Sequence, residues 1–167
     1  MSLKFNIECL LIAIMLFISV GVVSASVQTF ESDIGTIEIN LPYTVESGDI
    51  SRLVMPGTTK PIIGINWQDS ALSKDLQDYA EGFIGPGNDF EEMVTDDGKP
   101  MLFNVYQDGT DMDGNPKYTF RGYIDYSKEK GKYIIIHAPN DVRYQGETIA
   151  TYTKDQFASI CKSFIVK

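Results

Sequence analysis

Along Thr36-Ile37-Glu38-Ile39-Asn40-Leu41, apolar and polar residues alternate one for one. A helix of period 3.6 cannot gather that pattern onto one side, whereas a strand of period 2 can. Ile37, Ile39 and Leu41 then share a buried face, and Pro42 ends the ladder because it has no N–H to donate. The same alternation returns in Ile63, Ile65 and Trp67, opened by Pro61, and in Met101, Phe103 and Val105. It returns again over Lys117 to Tyr126. There Tyr118, Phe120, Ile124 and Tyr126 fall on one face, and Thr119, Arg121, Tyr123 and Asp125 on the other. A chain built this way must form sheets.

The remaining elements follow from local signals. Ile50 to Met55 reads as a short strand before Pro56-Gly57. A helix capped by Asp69 or Ser70 carries Leu72, Leu76, Tyr79, Ala80 and Phe83 at helical spacing, and Gly85-Pro86-Gly87 stops it. Asp96-Asp97-Gly98-Lys99 is a turn into the strand that runs from Met101 to Gln107. Gly131 opens a strand over Lys132 to Ala138, whose unbroken apolar run Tyr133 to Ile136 predicts a central position covered on both faces. In the last helix Thr153 and Gln156 have capping-box spacing, and Tyr152 can staple onto Phe157. Its apolar face is Phe157, Ile160, Cys161 and Phe164. Together these predict an α+β fold: about six to seven antiparallel strands sandwiched with two main helices, in one domain over residues 26–167.

Residues 1–25 are set apart. Lys4 precedes an apolar run from Cys9 to Val23, and Val23-Ser24-Ala25 offers the small residues that a signal peptidase reads. The segment is either a cleaved signal peptide or an N-terminal anchor, although the run is shorter than the roughly 20 residues that span a bilayer. Both alternatives put the folded part outside the cytoplasm, secreted or at the membrane surface. Beyond the leader only Cys161 remains, so no intramolecular disulfide can form and packing must carry stability. The net charge is −9. Lys4 and Glu8 cancel, so removing the leader leaves that value unchanged. Such an excess repels phosphate backbones and anionic lipid, which argues against nucleic-acid partners and confines any membrane contact to the N-terminal segment.

This layout resembles the PsbP family of extrinsic photosystem proteins and its relatives, the DcrB-type bacterial proteins and a nuclear Ran-binding protein. The matching pieces are Ile37-Glu38-Ile39-Asn40-Leu41-Pro42, the helix after Trp67, Gly131-Lys132-Tyr133-Ile134-Ile135-Ile136, and the closing helix into Ser163-Phe164-Ile165-Val166. Where many relatives carry Gly-Trp after the first Leu-Pro, this chain has Tyr43-Thr44-Val45-Glu46. The resemblance implies an α/β/α sandwich that serves protein association, with no shared catalytic machinery and no functional residue to transfer.

The inventory of reactive residues is thin. A Ser or Cys triad needs a His, and His137 is the only one, on the strand face of Tyr133 and Ile135. Cys161 sits on an apolar helix face, and one His with one Cys makes no usual zinc site. Glycines 82 to 87 lie at a helix end, so they are no phosphate cradle. No cofactor is implied. Calcium is the one cation the chemistry admits, through Asp108, Asp111, Asp113 and Asn115 of a Gly-bearing loop. That loop departs from the EF-hand pattern: Pro116 stands where a glycine would follow the third ligand, and no Glu closes it. An ordinary hairpin loop uses the same residues.

The second candidate is a partner surface. Arg121 and Tyr123 leave the polar face of one strand, Asn104 and Tyr106 that of its neighbour, and Arg and Tyr are enriched at interface hot spots. The alternative is that a helix covers this face and makes Tyr106 and Tyr123 core residues. Two functions follow: an exported, non-enzymatic module for a protein or envelope component, or a calcium or small-ligand module built on residues 108–115.

Overall fold

The computed structural model describes residues 25–46, 49–111 and 113–167. It is a mixed α+β protein in which strands hold 51% of the chain, so sheets dominate as the alternation predicts. The main sheet has six strands in the order β3 (Leu53–Val54), β4 (Pro61–Asp69), β8 (Lys132–Pro139), β7 (Pro116–Tyr126), β6 (Pro100–Thr110) and β5 (Glu91–Val94). A separate three-stranded sheet pairs β1 (Ser26–Ser32), β2 (Gly35–Leu41) and β11 (Ile165–Val166). The hairpin of β9 (Asp141–Tyr144) and β10 (Glu147–Thr151) completes the strands among the described residues. Among the described residues three helices accompany them: α1 (Leu76–Ile84), α2 (Ser127–Lys130) and α3 (Lys154–Lys162).

Local chemistry explains most boundaries. On β2, Ile37, Ile39 and Leu41 are buried while the residues between them are half-buried. Strand β8 lies between β4 and β7, and Tyr133 to Ile136 are buried throughout, as a centrally placed apolar run requires. Gly131 ends α2 in the left-handed region, at φ 64°, where only glycine is at ease. Both halves of the capping box on α3 are formed, and the rings of Tyr152 and Phe157 meet edge-on at 5.5 Å.

Two expectations need correction. Asp69 caps only a single 3₁₀ turn over Ser70–Leu72, held further by Gln68 donating to Ser73 Oγ at 3.0 Å. The α-helix starts later, with Asp75 as its cap, and Leu72 is left 74% exposed. Likewise, Ile50–Arg52 forms a 3₁₀ turn capped by Asp49, and only Leu53 and Val54 continue as strand. The expected leader or anchor lies, apart from Ala25, outside the described residues. No helix among the described residues is long and apolar enough to cross a membrane.

The six-stranded sheet packs apolar residues on both faces. On one, Met101, Phe103, Phe120, Ile124, Ile134 and Ile136 meet Phe157, Ile160 and Cys161 of α3. Phe157 stacks on Phe120 with centroids 5.8 Å apart, and its truncation to alanine would cost about 3–5 kcal/mol. Close approach depends on Gly122, because a Cβ there would stand 2.6 Å from Cys161 Sγ. On the other face Tyr123, Tyr133 and Ile135 pack under Tyr79 and Ala80 of α1. That second cluster is the smaller, and it leaves part of its face open.

Candidate binding surface

The open part follows from lengths. Helix α1 has nine residues, so it covers about 13–14 Å, whereas the eleven residues of β7 extend about 36 Å. Alternation sends Lys117, Thr119, Arg121, Tyr123 and Asp125 to the helix side of the sheet, and α1 reaches only some of them. Tyr123 is 0% exposed, and its phenol, pressed between Phe90, Phe83 and Tyr79, is pushed up to about 12 by burial. Asn104 is 6% exposed and donates from Nδ2 to the carbonyl of Asp89 at 2.9 Å. These two residues are core, which corrects their assignment to an exposed interface. Tyr106 lies past the helix and is 38% exposed, and Arg121 is half-buried beside it. The guanidinium carbon of Arg121 sits 5.0 Å from the centroid of the Tyr106 ring, a cation–π contact.

Register sets the rest of the surface. Gly64, His137, Arg121 and Asn104 lie directly opposite one another across β4, β8, β7 and β6. The imidazole of His137 leans over Gly64, and its Nε2 stands 3.5 Å from Asn66 Nδ2. Burial, and secondarily the positive charge of Arg121, hold the His137 pKa below its ordinary value, so the ring is neutral at pH 7. Arg121 Nη1, Asn104 Oδ1 and Tyr123 Oη are buried with no hydrogen-bond partner among the described residues. Buried groups are seldom left unpaired, and here three fall on facing or adjacent positions.

A hollow of about 590 Å³, lined by Asn88, Asp89, Glu91, Asn104 and Lys154, borders the Asn104 end of this row, and two smaller ones lie toward the His137 end. One of about 370 Å³ is lined by Arg52, Ile62, Gly64, Asn66, His137 and Pro139. Another of about 290 Å³ lies on the other side of Pro139, against Lys60, Asp108, Lys117, Thr119, Asp141 and Arg143. Arg143 Nε pairs with Asp141 at 2.8 Å, and hydrogen bonds from Ser51, with a smaller contribution from the charge of Arg52, hold the Asp49 carboxyl low. Arg121 has no carboxylate partner among the described residues.

The acidic loop is organised by itself. Asp111 Oδ1 accepts from the backbone N–H groups of Asp113 and Asn115 at 2.9 and 2.8 Å, and Oδ2 accepts from Asn115 Nδ2 at 3.2 Å. Those bonds hold the Asp111 carboxyl below the usual range. Asp108 belongs to β6, upstream of the turn, and lines the hollow with Lys117. No three His, Cys, Asp or Glu side chains converge as a metal site among the described residues.

Nor do the two reactive side chains meet. Cys161 lies under α3 on one face of the sheet, and His137 occupies the other. Burial pushes the Cys161 thiol far up, away from the thiolate form that attacks.

No family model, curated protein or solved structure matches this chain.

Lys117 belonged with Arg121 from the start, since both sit at odd positions of one alternating strand. Arg52, Lys60 and Asn66 had no such signal, because only the pairing of β4 with β3 and β8 brings them here.

Proposed function

We propose that this chain is an exported, non-enzymatic binding domain of PsbP-like type, its helices α1 and α3 layered on opposite faces of the main sheet. It holds a protein partner at the cell envelope through the open half of the helix-side face. The observation that carries this reading is Arg121. A half-buried guanidinium is stacked on a partly exposed tyrosine with no carboxylate paired to it among the described residues. Arginine is enriched at interface hot spots and wherever carboxylates are recognised in bidentate fashion. The leader-like N-terminal sequence and the separation of His137 from Cys161 support the exported and non-enzymatic parts.

The test is cross-linking on intact source cells with tagged full-length protein and the variants Arg121→Ala and Tyr106→Ala. One defined envelope protein should be captured by the unmodified chain and reduced at least tenfold by each variant. Both variants must melt within a few degrees of the parent. Equal capture by all three chains, or no protein above background, overturns the reading.

A further inference from the structure

We infer that two copies of this chain associate edge to edge through β1, antiparallel about Thr29, joining their three-stranded sheets into one of six strands. Strand β1 pairs with β2 from Ser26↔Leu41 to Ser32↔Gly35 in unbroken register, and among the described residues no strand pairs with its other side. Such an edge offers a row of unpaired N–H and C=O groups to any strand that reaches it, and proteins usually guard the row by shortness, charge or a bulge. The other outermost strands carry guards of this kind. Strands β3 and β11 are two residues long, two of the four residues of β5 are glutamates, and the β9–β10 hairpin breaks register between Thr148 and Ala150. By contrast β1 runs for seven residues with no proline and no bulge, and its one charge is Glu31. That carboxylate is drawn toward β2, where both its oxygens accept from Thr36 Oγ1 at 3.1 Å.

The strand is complementary to itself, which selects a second copy over an unrelated strand. A two-fold axis through Thr29, its middle residue, gives all seven residues a partner: Ser26 faces Ser32, Val27 faces Glu31 and Gln28 faces Phe30. Thr29 faces its own copy, a threonine pair of the kind that stabilises antiparallel sheets. No like charges meet, and Val27, 65% exposed in the single chain, gains the aliphatic stem of Glu31. Parity agrees as well. The exposed Val27, Thr29 and Glu31 of both copies fall on one face, and the half-buried Gln28, Phe30 and Ser32 on the other. Pairing over one strand makes a small interface and each copy carries −9, so the dimer is weak, concentration-dependent and strengthened by salt. It involves a different sheet from the one that carries Arg121 and Tyr106, so it stands independently of the binding role proposed above.

The experiment is disulfide trapping in the full chain, in a Cys9→Ser background that leaves buried Cys161 as the one native thiol. The single variants Val27→Cys, Thr29→Cys and Glu31→Cys, all at exposed positions, are treated with oxidised glutathione. Thr29→Cys should yield at least tenfold more covalent dimer than either of the others. In this register each of those two cysteines lies about 13 Å along the strands from its own copy, too far to bridge. Mixing Val27→Cys with Glu31→Cys should restore trapping, as a pair of the two unlike chains. Equal trapping at all three positions, or none at Thr29→Cys, overturns the inference. Light scattering supplies a second readout: the dimer fraction of the parent should rise between 50 and 200 mM salt. Thr29→Lys sets like charges opposite one another and should leave monomer while melting within a few degrees of the parent. A parent that is monomeric at millimolar concentration, a dimer that weakens with salt, or one that Thr29→Lys leaves intact overturns the inference equally.

Discussion

His137 and Gly64 stand opposite one another on β8 and β4, and the imidazole occupies the space that a side chain on Gly64 would fill. A Cβ there would come within 2.6 Å of His137 Cε1. The pair therefore sets how the ring presents its free edge to the neighbouring hollow, and it makes a stability prediction. Gly64→Ala should cost about 1–3 kcal/mol, the usual range for overpacking, read from urea midpoints. Most of that loss should vanish in a His137→Ala background. An undiminished loss in that background would mean that the ring and the glycine do not compete for space.

The lowered pKa of His137 predicts the direction of one pH effect. An unfolded histidine takes up a proton near pH 6.5, before the folded one does. Stability should thus be flat above about pH 7, decline as pH falls through 6.5, and level off below the folded value. Beside burial, the charge that opposes its protonation is Arg121 across the strand pair, and Arg52 lines the same hollow. Urea midpoints at pH 7.5, 6.5 and 5.5 should show the decline in the parent, and His137→Gln should flatten it. An identical slope in both proteins would assign it elsewhere.

Cys161 should be silent in the folded protein. Its thiol is fully buried under α3, and burial raises its pKa. A disulfide reagent at pH 8 should label it only after denaturant is added. Rapid labelling of native protein would show that α3 lifts from the sheet.

The acidic loop closes on itself, so calcium should do little. Melting in EDTA and after calcium is added back should give the same midpoint. Asp111→Ala should lower that midpoint equally in both, since the carboxylate serves Asp113 and Asn115. A reversible rise with calcium that Asp111→Ala removes would restore the loop as a cation site.

The capping box on α3 gives a smaller effect. Thr153→Ala removes the acceptor for the Gln156 N–H and should cost about 1 kcal/mol, measured by thermal melting. No change would mean that tertiary packing of Phe157 and Phe164 alone holds the helix.

What could be foreseen in the sequence was local. The alternation at Ile37, Ile39 and Leu41 and the Thr153–Gln156 box each lie within one element, and each is found as expected. The start of α1 was misplaced for a related reason: a capping Asp looks the same before a 3₁₀ turn as before an α-helix, and Asp69 and Asp75 both qualify. The faces of β6 and β7 were also legible, because they depend only on parity. Where along those faces α1 lands was not. That position separates core Tyr123 from accessible Tyr106, and it depends on contacts between residues far apart in the chain, such as Tyr79 with Tyr123. The meeting of Gly64 with His137 is more distant still and exists only through register.

Capture of an envelope protein on intact source cells by the parent chain, Arg121→Ala and Tyr106→Ala tests the placement of the binding surface most directly. One defined protein should be captured by the parent and lost at least tenfold in each variant at unchanged stability. Equal capture by all three chains would contradict it.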